Sequence, residues 1–455
     1  MTQDEALRVL TTGANVFLTG EPGAGKTYTV NAYVRWLRER EVEPSITAST
    51  GIAATHIGGL TMHSWSGIGI KRSLSPYELD AISQNKKVYG RVRDAKVLII
   101  DEVSMLSAST LEMVDAVCRE VRQDRRAFGG LQVVLVGDFF QLPPVASREA
   151  EENPSLLENA EDQSNFAFRS SAWKSLNPLV CYLSEQHRQE DSSFLDFLTA
   201  LRKNEIDETH YELLRTRYNK NAKDGATQLF SHNADVDRLN AKELEKLGGE
   251  TSEFHMSSFG PSKLVETIKR GCLSPEVLAL KIGARVMFTK NDTITQRFAN
   301  GTLGTVASFD KESGYPVVKT NEGRTVYTEP MEWTLVDGGK VLARVTQVPL
   351  RLAWAMTVHK SQGMSLDGAH MDLSGVFEYG QGYVALSRVR TLAGLSLAGL
   401  SKKALEVHPE ILEEDKKFRV LSKEARNAFG ALSSQELALM RSNFIRACGG
   451  KEDVV

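Results

Sequence analysis

The sequence has little of what marks secreted proteins, membrane proteins or cysteine-bound metal sites. Its 455 residues include only four cysteines, which lie far apart at Cys118, Cys181, Cys272 and Cys448. This spacing excludes a compact disulfide framework and a cysteine-based metal site, and it is typical of reduced cytosolic thiols. No apolar run approaches the roughly 20 residues that span a bilayer. Residues 2–5 are acidic rather than basic, unlike a secretory signal. We therefore expect a cytoplasmic protein with no membrane partner.

An excess of positive charge is also lacking. The formal net charge is −3, with 55 Lys and Arg against 58 Asp and Glu. A nucleic-acid partner would therefore require basic residues to be concentrated in a groove while acidic residues lie elsewhere. With 41% hydrophobic and 25% charged residues, the composition is that of an ordinary globular protein. The length allows two to four domains.

The most informative motif is GEPGAGKT at residues 20–27. It follows a short apolar run at residues 15–19 and precedes a stretch of helical character at residues 28–40. This strand–loop–helix context is typical of a phosphate-binding loop, whose glycines let backbone N–H groups surround the phosphates. Lys26 would neutralise the terminal phosphates, and the Thr27 hydroxyl would bind Mg²⁺. The alternative is a glycine turn without a ligand, but motif and context together predict an NTPase.

Two later strands end in polar side chains. Residues 97–102 read VLIIDE, and a buried parallel strand would deliver Asp101 and Glu102 to the edge of the sheet beside the phosphate loop. Asp101 would hold Mg²⁺ through water, and Glu102 would orient and deprotonate the attacking water. After the apolar run 133–136, Gln141 would sense the γ-phosphate. The alternatives are a solvated acidic pair and a turn capped by Asp138 and Gln141.

The pattern of apolar runs predicts an α/β fold with two domains. We assign residues 1–182 to a first domain with a parallel sheet and flanking helices, and residues 66–94 to a small insertion in it. Residues 149–162 are acidic and are interpreted as a solvated excursion. The second domain would comprise residues 183–302 and 346–425, interrupted by a small β-barrel at 303–345, and residues 426–455 would form a helical tail. The strand candidates are residues 16–19, 45–48, 96–100 and 131–136 in the first domain, and 227–231, 285–289, 349–354, 370–373 and 395–397 in the second.

Two segments of the second half carry the chemistry of anion binding. Residues 355–363, AMTVHKSQG, place many hydrogen-bond donors on one strand-to-helix turn, as phosphodiester binding requires. Arg388 follows a short amphipathic helix. Because the second domain has no phosphate loop of its own, Arg388 could reach a nucleotide held by the first domain, and Arg188 could do the same from the domain junction. For a single arginine the alternative is a surface salt bridge.

The ordered set of motifs closely resembles superfamily 1B DNA helicases of the PIF family, over about residues 3–400. The matching segments are GEPGAGKT, ITASTGIAA, LTMHSW, VLIIDEVSML, GDFFQLPPV, LSEQHRQ, MTVHKSQGMS and YVALSR. The resemblance implies two RecA-like domains that clamp ATP and Mg²⁺, single-stranded DNA bound across them, and movement from 5′ to 3′. It also implies an SH3-like barrel, in agreement with residues 303–345, and a wedge subdomain in the insertion. We expect a compact bacterial or phage-type core in the bacterial cytoplasm or nucleoid, monomeric in solution and acting on single-strand/duplex junctions.

The resemblance assigns roles to individual residues. The catalytic group is Lys26, Asp101, Glu102, Gln141, Arg188 and Arg388, and the Mg²⁺ ligands are Thr27 and Asp101. The nucleotide-binding group, led by a glutamine that reads adenine, is Gln3, Gly20, Pro22, Gly23, Ala24, Gly25, Lys26, Thr27, Tyr28, Gln362 and Gly363. The DNA-binding group is Thr50, Gly51, Thr61, His63, Pro143, Val145, Thr357, His359, Lys360 and Ser361.

Three alternatives stay open. The chain could be an RNA helicase of the same superfamily, or a nucleotide-dependent DNA-binding switch without motor activity. Trp65, Phe139 and Phe140 could stack on DNA bases, although their sequence context favours core positions. Action on forks or on G-quadruplexes is an expectation from the family alone.

Overall fold

The computed structural model describes residues 1–451 with the exception of 51–52, 55–58, 70, 145–164, 185–190, 219–226, 231–232, 291, 293–296, 299, 322, 338–339, 359–360, 362–365 and 367. The chain divides into two compact units, Met1–Arg188 with Pro409–Val455, and Gln189–His408. In the described residues, no helix has both the length and the apolar character needed to cross a membrane. The predicted acidic excursion at 149–162 lies outside the described residues.

A six-stranded, fully parallel sheet forms the centre of the first unit. Its strand order is β3-β2-β4-β5-β1-β6, where the strands are β1 (Val16–Gly20), β2 (Ser45–Ala48), β3 (Leu60–Thr61), β4 (Val97–Asp101), β5 (Gln132–Val136) and β6 (Leu179–Leu183). The four strands predicted here are confirmed. Each carries an apolar run because helices cover both faces of a parallel sheet. Since all strands run in one direction, the residues that follow β1, β2, β4 and β5 meet at one edge.

The helices of the first unit include those of the predicted insertion. They are α1 (Gln3–Leu10), α2 (Lys26–Arg38), α3 (Met62–Ser66), α4 (Pro76–Ser83), α5 (Lys86–Asp94), α6 (Ala108–Arg122) and α7 (Ser171–Leu176). Within the insertion, Ser75 caps α4 through a reciprocal pair of hydrogen bonds with Glu78, and the Asn85 side chain caps α5. Each cap satisfies backbone N–H groups that the first turn of a helix leaves unpaired.

The C-terminal helices belong to the first unit, and this corrects the predicted boundary at residue 425. These helices are α13 (Pro409–Gly430) and α14 (Ser434–Cys448). They follow the second unit in sequence, but they pack in the first unit. The Phe418 ring lies 5.0 Å from that of Phe17 in β1, and Ile445 is in the core beneath α1. The Ser422 Oγ accepts a hydrogen bond from the Tyr182 N–H of β6 at 3.0 Å. An amphipathic pattern shows that a helix has a buried face, but not which sheet that face covers.

The second unit has its own parallel sheet, of order β18-β7-β19-β20. The strands are β7 (Thr227–Phe230), β18 (Ala355–Thr357), β19 (Ala369–Leu373) and β20 (Leu395–Leu400). The helices of the unit are α8 (Ser192–Lys203), α9 (Glu208–Arg215), α10 (Asn233–Lys246), α11 (Ser262–Gly271) and α12 (Gln381–Leu386). Each of the two units thus contains its own parallel sheet with helices.

Between β7 and β18 the second unit contains antiparallel sheets over a wider range than the predicted 303–345. The strands are β8 (Ser252–His255), β9 (Ser257–Phe259), β10 (Val277–Leu280), β11 (Arg285–Phe288), β12 (Leu303–Phe309), β13 (Pro316–Thr320), β14 (Thr325–Tyr327), β15 (Met331–Asp337), β16 (Lys340–Gln347) and β17 (Leu350–Leu352). They form sheets of order β14-β13-β12-β11-β17, β15-β16-β9 and β10-β8. Residues 285–289 and 349–354, predicted as strands of the second α/β domain, do contain strands, but these strands belong to an antiparallel sheet. Both are short apolar runs, and such a run does not reveal the direction of its partner strand.

Candidate functional site

The loop between β1 and α2 has the conformation of a phosphate cradle. Gly25 ends the loop with φ +88° and lies directly before α2, whose first turn has no side-chain cap. The Lys26 Nζ donates to the carbonyl of Gly20 at 2.6 Å and to that of Glu21 at 3.2 Å. The lysine is therefore folded over the loop. The uncapped N–H groups of α2 and the ammonium together make a strong anion site.

Gln3 lies against this loop, although residues 4–19 separate the two in sequence. Its Nε2 donates to the Ala24 carbonyl at 3.3 Å. Gly25 is favoured by its positive φ, and a Cβ added there would lie 2.0 Å from the same nitrogen and would displace the Gln3 side chain from the loop. Gln3 begins α1, where Thr2 and Glu5 cap the first turn reciprocally. Thr27 is exposed, and Tyr28 is 68% exposed beside it.

Asp101 and Glu102 end β4 at the same edge of the sheet. Burial raises the pKa of the Asp101 carboxyl; the Glu102 N–H, which donates to Oδ1 at 2.9 Å, and the charge of Lys26 act in the opposite direction. The influence of Lys26 shows that the phosphate loop and this carboxylate are neighbours. Glu102 has φ +52°. This conformation is uncommon for residues other than glycine, and where it occurs it is often at a functional site.

The polar cluster after β5 is buried. Asp138 is fully buried and accepts a hydrogen bond from the Phe140 N–H at 3.2 Å. The Gln141 Nε2 donates to Asp138 Oδ2 at 3.4 Å, and the Gln141 N–H donates to the Asp138 carbonyl at 3.0 Å. Asp138 and Gln141 therefore cap a turn, which was the alternative to a γ-phosphate sensor in the sequence analysis. A 3.4 Å hydrogen bond is long and weak, so the Gln141 side chain can be exchanged to another acceptor at small cost.

Two of the residues of the first unit that were predicted to contact DNA lie at the ends of strands: Thr50 follows β2 and Thr61 ends β3. The Thr50 Oγ1 accepts from the Ala53 N–H, and the Thr61 Oγ1 accepts from the Ser64 N–H, each at 3.2 Å. His63 is half-buried, and burial lowers its pKa, so the imidazole is neutral at pH 7. Pro143 is half-buried. Gly51 and Val145 lie outside the described residues.

The three aromatic residues considered for base stacking are core residues. Trp65, Phe139 and Phe140 are 2%, 5% and 4% exposed. The Phe139 ring lies 4.9 Å from that of Phe168 and 5.5 Å from that of Phe17. Their aromatic faces are used within the unit, and the core alternative holds.

In the second unit the described site residues are buried. Arg388 is 1% exposed, with its Nε donating to the Val384 carbonyl at 2.8 Å and its Nη2 to Ser387 Oγ at 2.9 Å. Thr357 is 2% exposed and Ser361 is fully buried, with the Ser361 Oγ donating to the Val358 carbonyl at 2.7 Å. The Ser361 hydroxyl is thus bonded to the backbone of the residue that follows β18. Arg188, His359, Lys360, Gln362 and Gly363 lie outside the described residues.

Sequence reasoning missed the residues that support the site. Arg202 of α8 is 2% exposed and donates to the Tyr383 hydroxyl at 3.1 Å, so it braces α12, the helix before Arg388. Ser49 follows β2, and its N–H donates to the Asp101 carbonyl at 3.2 Å. Nothing about an isolated arginine or serine in the sequence predicts such a role.

Comparisons with known proteins agree on one family. Residues 4–212 match the family described as PIF1-like helicase, and residues 263–309 match the one described as DNA helicase Pif1, 2B domain. The second match begins well before residue 303, in line with the wide antiparallel region. The chain is 41% identical to the ATP-dependent DNA helicase Pif1 of a Psychrobacter species, over 99% of this chain and 75% of that protein.

Other relatives cover similar shares of the chain. The ATP-dependent DNA helicase Pif1 of Bdellovibrio bacteriovorus is 35% identical over 92% of both chains. The PIF1 protein of Xenopus laevis is 37% identical over 90% of this chain, which spans only 63% of that longer protein.

Solved structures give the same result. Bacteroides Pif1 in complex with ADP-AlF4 superimposes with a TM-score of 0.78 at 29% identity, covering 92% of this chain and 96% of that one. Bacteroides Pif1 bound to single-stranded DNA gives a TM-score of 0.60, also at 29% identity, covering 93% and 97%. The chain thus has the RecA-like α/β fold of these proteins, and it belongs to the PIF1-like helicase family of ATP-dependent DNA helicases.

Proposed function

We propose that this protein hydrolyses ATP with Mg²⁺ to move from 5′ to 3′ on single-stranded DNA, and that it separates duplex DNA ahead of it. Its family membership supports ATP hydrolysis and DNA as the track. The direction is inferred from its motifs and their resemblance to superfamily 1B. We further propose that it acts as a monomer in the bacterial cytoplasm, with the insertion at 66–94 as its wedge.

The observation that carries this proposal is the convergence of Gln3, Lys26 and Asp101 at one edge of the parallel sheet. Gln3 is hydrogen-bonded to the loop, which supports its proposed role in reading an adenine. Lys26 lies over the loop carbonyls, and its charge acts on Asp101. The Thr27 hydroxyl and the Asp101 carboxylate are oxygen donors of the kind that Mg²⁺ prefers. When bound, Mg²⁺ neutralises charge on the phosphates.

ATP binding would rearrange existing hydrogen bonds rather than create a site from nothing. Lys26 would exchange the carbonyls of Gly20 and Glu21 for phosphate oxygens. Glu102 would hold and deprotonate the attacking water. The Gln141 side chain would exchange its long hydrogen bond to Asp138 for one to the γ-phosphate. It would lose the bond to the γ-phosphate after hydrolysis. This is the differential affinity that a nucleotide-driven conformational change requires.

Arginine residues of the LSEQHRQ and YVALSR motifs would complete the site. We propose that Arg188 and Arg388 stabilise the negative charge that develops on the γ-phosphate. Arg388 would have to exchange its hydrogen bond to the Ser387 hydroxyl for phosphate, while the bond from Nε to the Val384 carbonyl can be kept.

Binding of single-stranded DNA would use the DNA-binding group assigned from the motifs. Backbone N–H groups, hydroxyls and the Lys360 ammonium contact phosphate and sugar without reading base edges, so binding would be indifferent to sequence and sensitive to salt. Since Thr357 and Ser361 are buried, we propose that they support the DNA-contacting residues His359 and Lys360 rather than contact DNA themselves. Forks and G-quadruplexes are then candidate substrates of the same groove.

The proposal is tested by ATP turnover with matched single-stranded DNA and RNA of one sequence. We expect DNA to stimulate turnover strongly and RNA only weakly. Stimulation by RNA alone would favour an RNA helicase. Turnover indifferent to both nucleic acids would favour a nucleotide-dependent switch. The Lys26→Ala variant is the control, since it should bind DNA within a few-fold of wild type and hydrolyse no ATP.

A further inference from the structure

Two serine hydroxyls flank the end of β4 without a hydrogen-bond partner. In the part of the chain that the structure describes, the Oγ atoms of Ser49 and Ser104 are both buried and unpaired. Ser104 as a whole is fully buried. A buried polar atom that makes no hydrogen bond is uncommon in native proteins and destabilises the folded state.

The positions of these serines place them on opposite sides of the Asp101–Glu102 pair. Ser49 follows β2, one neighbour of β4, and its N–H donates to the Asp101 carbonyl at 3.2 Å. Ser104 comes two residues after Glu102 and lies against the end of β5, the other neighbour, since a Cβ at Gly137 would be 3.3 Å from its nitrogen. Both serines are therefore at the edge of the sheet where we propose that hydrolysis takes place.

Other unfavourable features occur at the same place. Glu102 has φ +52°, and burial opposes the charge of Asp101. Strained backbone, a desolvated carboxylate and unpaired hydroxyls are each tolerated where the surrounding fold holds them for a function. Because these features coincide within a few residues, we infer that the two hydroxyls are available to bind a group that is absent from the nucleotide-free protein.

We propose that Ser49 and Ser104 are positioning residues for ATP hydrolysis, which donate hydrogen bonds to the Asp101–Glu102 carboxylates and the water between them once Mg·ATP is bound. A hydroxyl on each side of the carboxylate pair fixes the orientation of Glu102 toward the attacking water. This inference rests on the proposed roles of Asp101 and Glu102.

The test uses Ser104→Ala and Ser49→Ala in the full-length chain. We expect kcat to fall roughly 10-fold for Ser104→Ala, the effect of losing one hydrogen bond to a charged group, with the KM for ATP changed less than about 3-fold. Binding of Mg·ADP with aluminium fluoride should weaken in parallel, while binding of ADP alone should not. The Tm of the nucleotide-free variant should stay the same or rise, because an unpaired buried hydroxyl has been removed.

Ser170→Ala is the matched control within the same unit. Ser170 is 1% exposed, and its hydroxyl is fully used, donating to the Ala167 carbonyl at 2.7 Å and accepting from the Trp173 N–H at 3.0 Å. Loss of this helix cap should lower the Tm and leave kcat unchanged. A second variant, Ser49→Thr, keeps the hydroxyl and should retain more turnover than Ser49→Ala.

Each outcome is decisive. A lowered Tm with wild-type kcat in Ser104→Ala would assign that hydroxyl to a structural contact and overturn the proposal. Unaltered binding of the aluminium fluoride complex would do the same. Glu102→Gln separates the two levels of the argument: if it keeps normal turnover, the proposed function of the carboxylate pair fails, whatever the serine variants show.

Discussion

At the scale of single residues, the chemistry of the nucleotide site is concentrated in side chains that hold one another in place before a ligand arrives. Lys26 is bonded to the carbonyls of the loop it will leave, and Gln141 is held by a long bond to Asp138. Burial raises the pKa of the Asp101 carboxyl, while the charge of Lys26 acts in the opposite direction. Such sites lower the free energy of unfolding, and a substitution that removes the unfavourable group can therefore stabilise the protein.

Asp101→Asn tests that cost through pH. Because burial raises the pKa of Asp101 in the folded chain above its unfolded value, the ionised carboxylate destabilises the nucleotide-free protein above the folded pKa. The destabilisation falls as the pH drops through the folded pKa, and it is absent below the unfolded pKa of about 3.9. Asp101→Asn should therefore raise the free energy of unfolding at pH 7–8 and give a shrinking gain toward pH 4. The measurement is urea unfolding across this range, and a gain independent of pH would contradict the account.

Arg388→Lys tests the role of the guanidinium. Lysine keeps a positive charge but not the planar set of donors that bonds Val384 and Ser387 together. We expect turnover to fall roughly 1,000-fold or more, within the range for such arginines, with ATP affinity changed only a few-fold. The control is Arg215→Lys, an exposed residue of α9 paired with Glu208 in the same unit. Wild-type turnover of the Arg388 variant would reject its role at the γ-phosphate.

These residues show how far the sequence reaches. The positions of Lys26 and Thr27 at the start of α2, and of Asp101 and Glu102 at the end of β4, were predictable, because a glycine-rich loop before a helix and carboxylates after an apolar run are visible in the sequence. Their catalytic roles stay predictions. The contact between Gln3 and the loop followed only from the family resemblance. The unpaired hydroxyls of Ser49 and Ser104 were not predictable, because hydrogen-bond satisfaction depends on three-dimensional neighbours.

At the scale of elements, the first unit is completed by helices from the far end of the chain. The ring of Phe418 in α13 lies in an aromatic cluster, with its centroid 5.0 Å from that of Phe17 and 6.1 Å from that of Phe139. Arg426 of the same helix pairs with Glu5, the residue that caps the helix bearing Gln3. The strands of this unit were predictable from apolar runs at the right spacing. The partners of α13 and α14 were not, since two sheets of similar character compete for any amphipathic helix.

Phe418→Ala tests whether α13 is part of the first unit. Phe418 is 5% exposed, so the substitution should leave a cavity among aromatic rings and lower the free energy of unfolding by about 3–5 kcal/mol. Val420→Ala on the same helix, at 58% exposure, should change stability by less than about 0.5 kcal/mol. Calorimetry of both variants gives the comparison, and equal small effects would show that the helix does not support the core.

At the scale of the whole molecule, a chain of two α/β units contains one phosphate loop, and this asymmetry is the basis of the proposed motor. The first unit would hold ATP, and the second would supply arginine and part of the DNA groove. Sequence predicted the two parallel sheets and the antiparallel insertion between strands of the second. It misplaced the limits of that insertion, because residues 285–289 and 349–354 are apolar runs that suit either kind of sheet.

Strand displacement on tailed duplexes is the measurement that addresses the whole account most directly. Three substrates share one duplex and carry a 5′ single-stranded tail, a 3′ tail or no tail, and the released strand is captured in the presence of Mg·ATP. The account predicts displacement from the 5′-tailed duplex alone, and none with Lys26→Ala on any substrate. Displacement from the 3′-tailed duplex alone, or none from any substrate while DNA still stimulates ATP turnover, would contradict it.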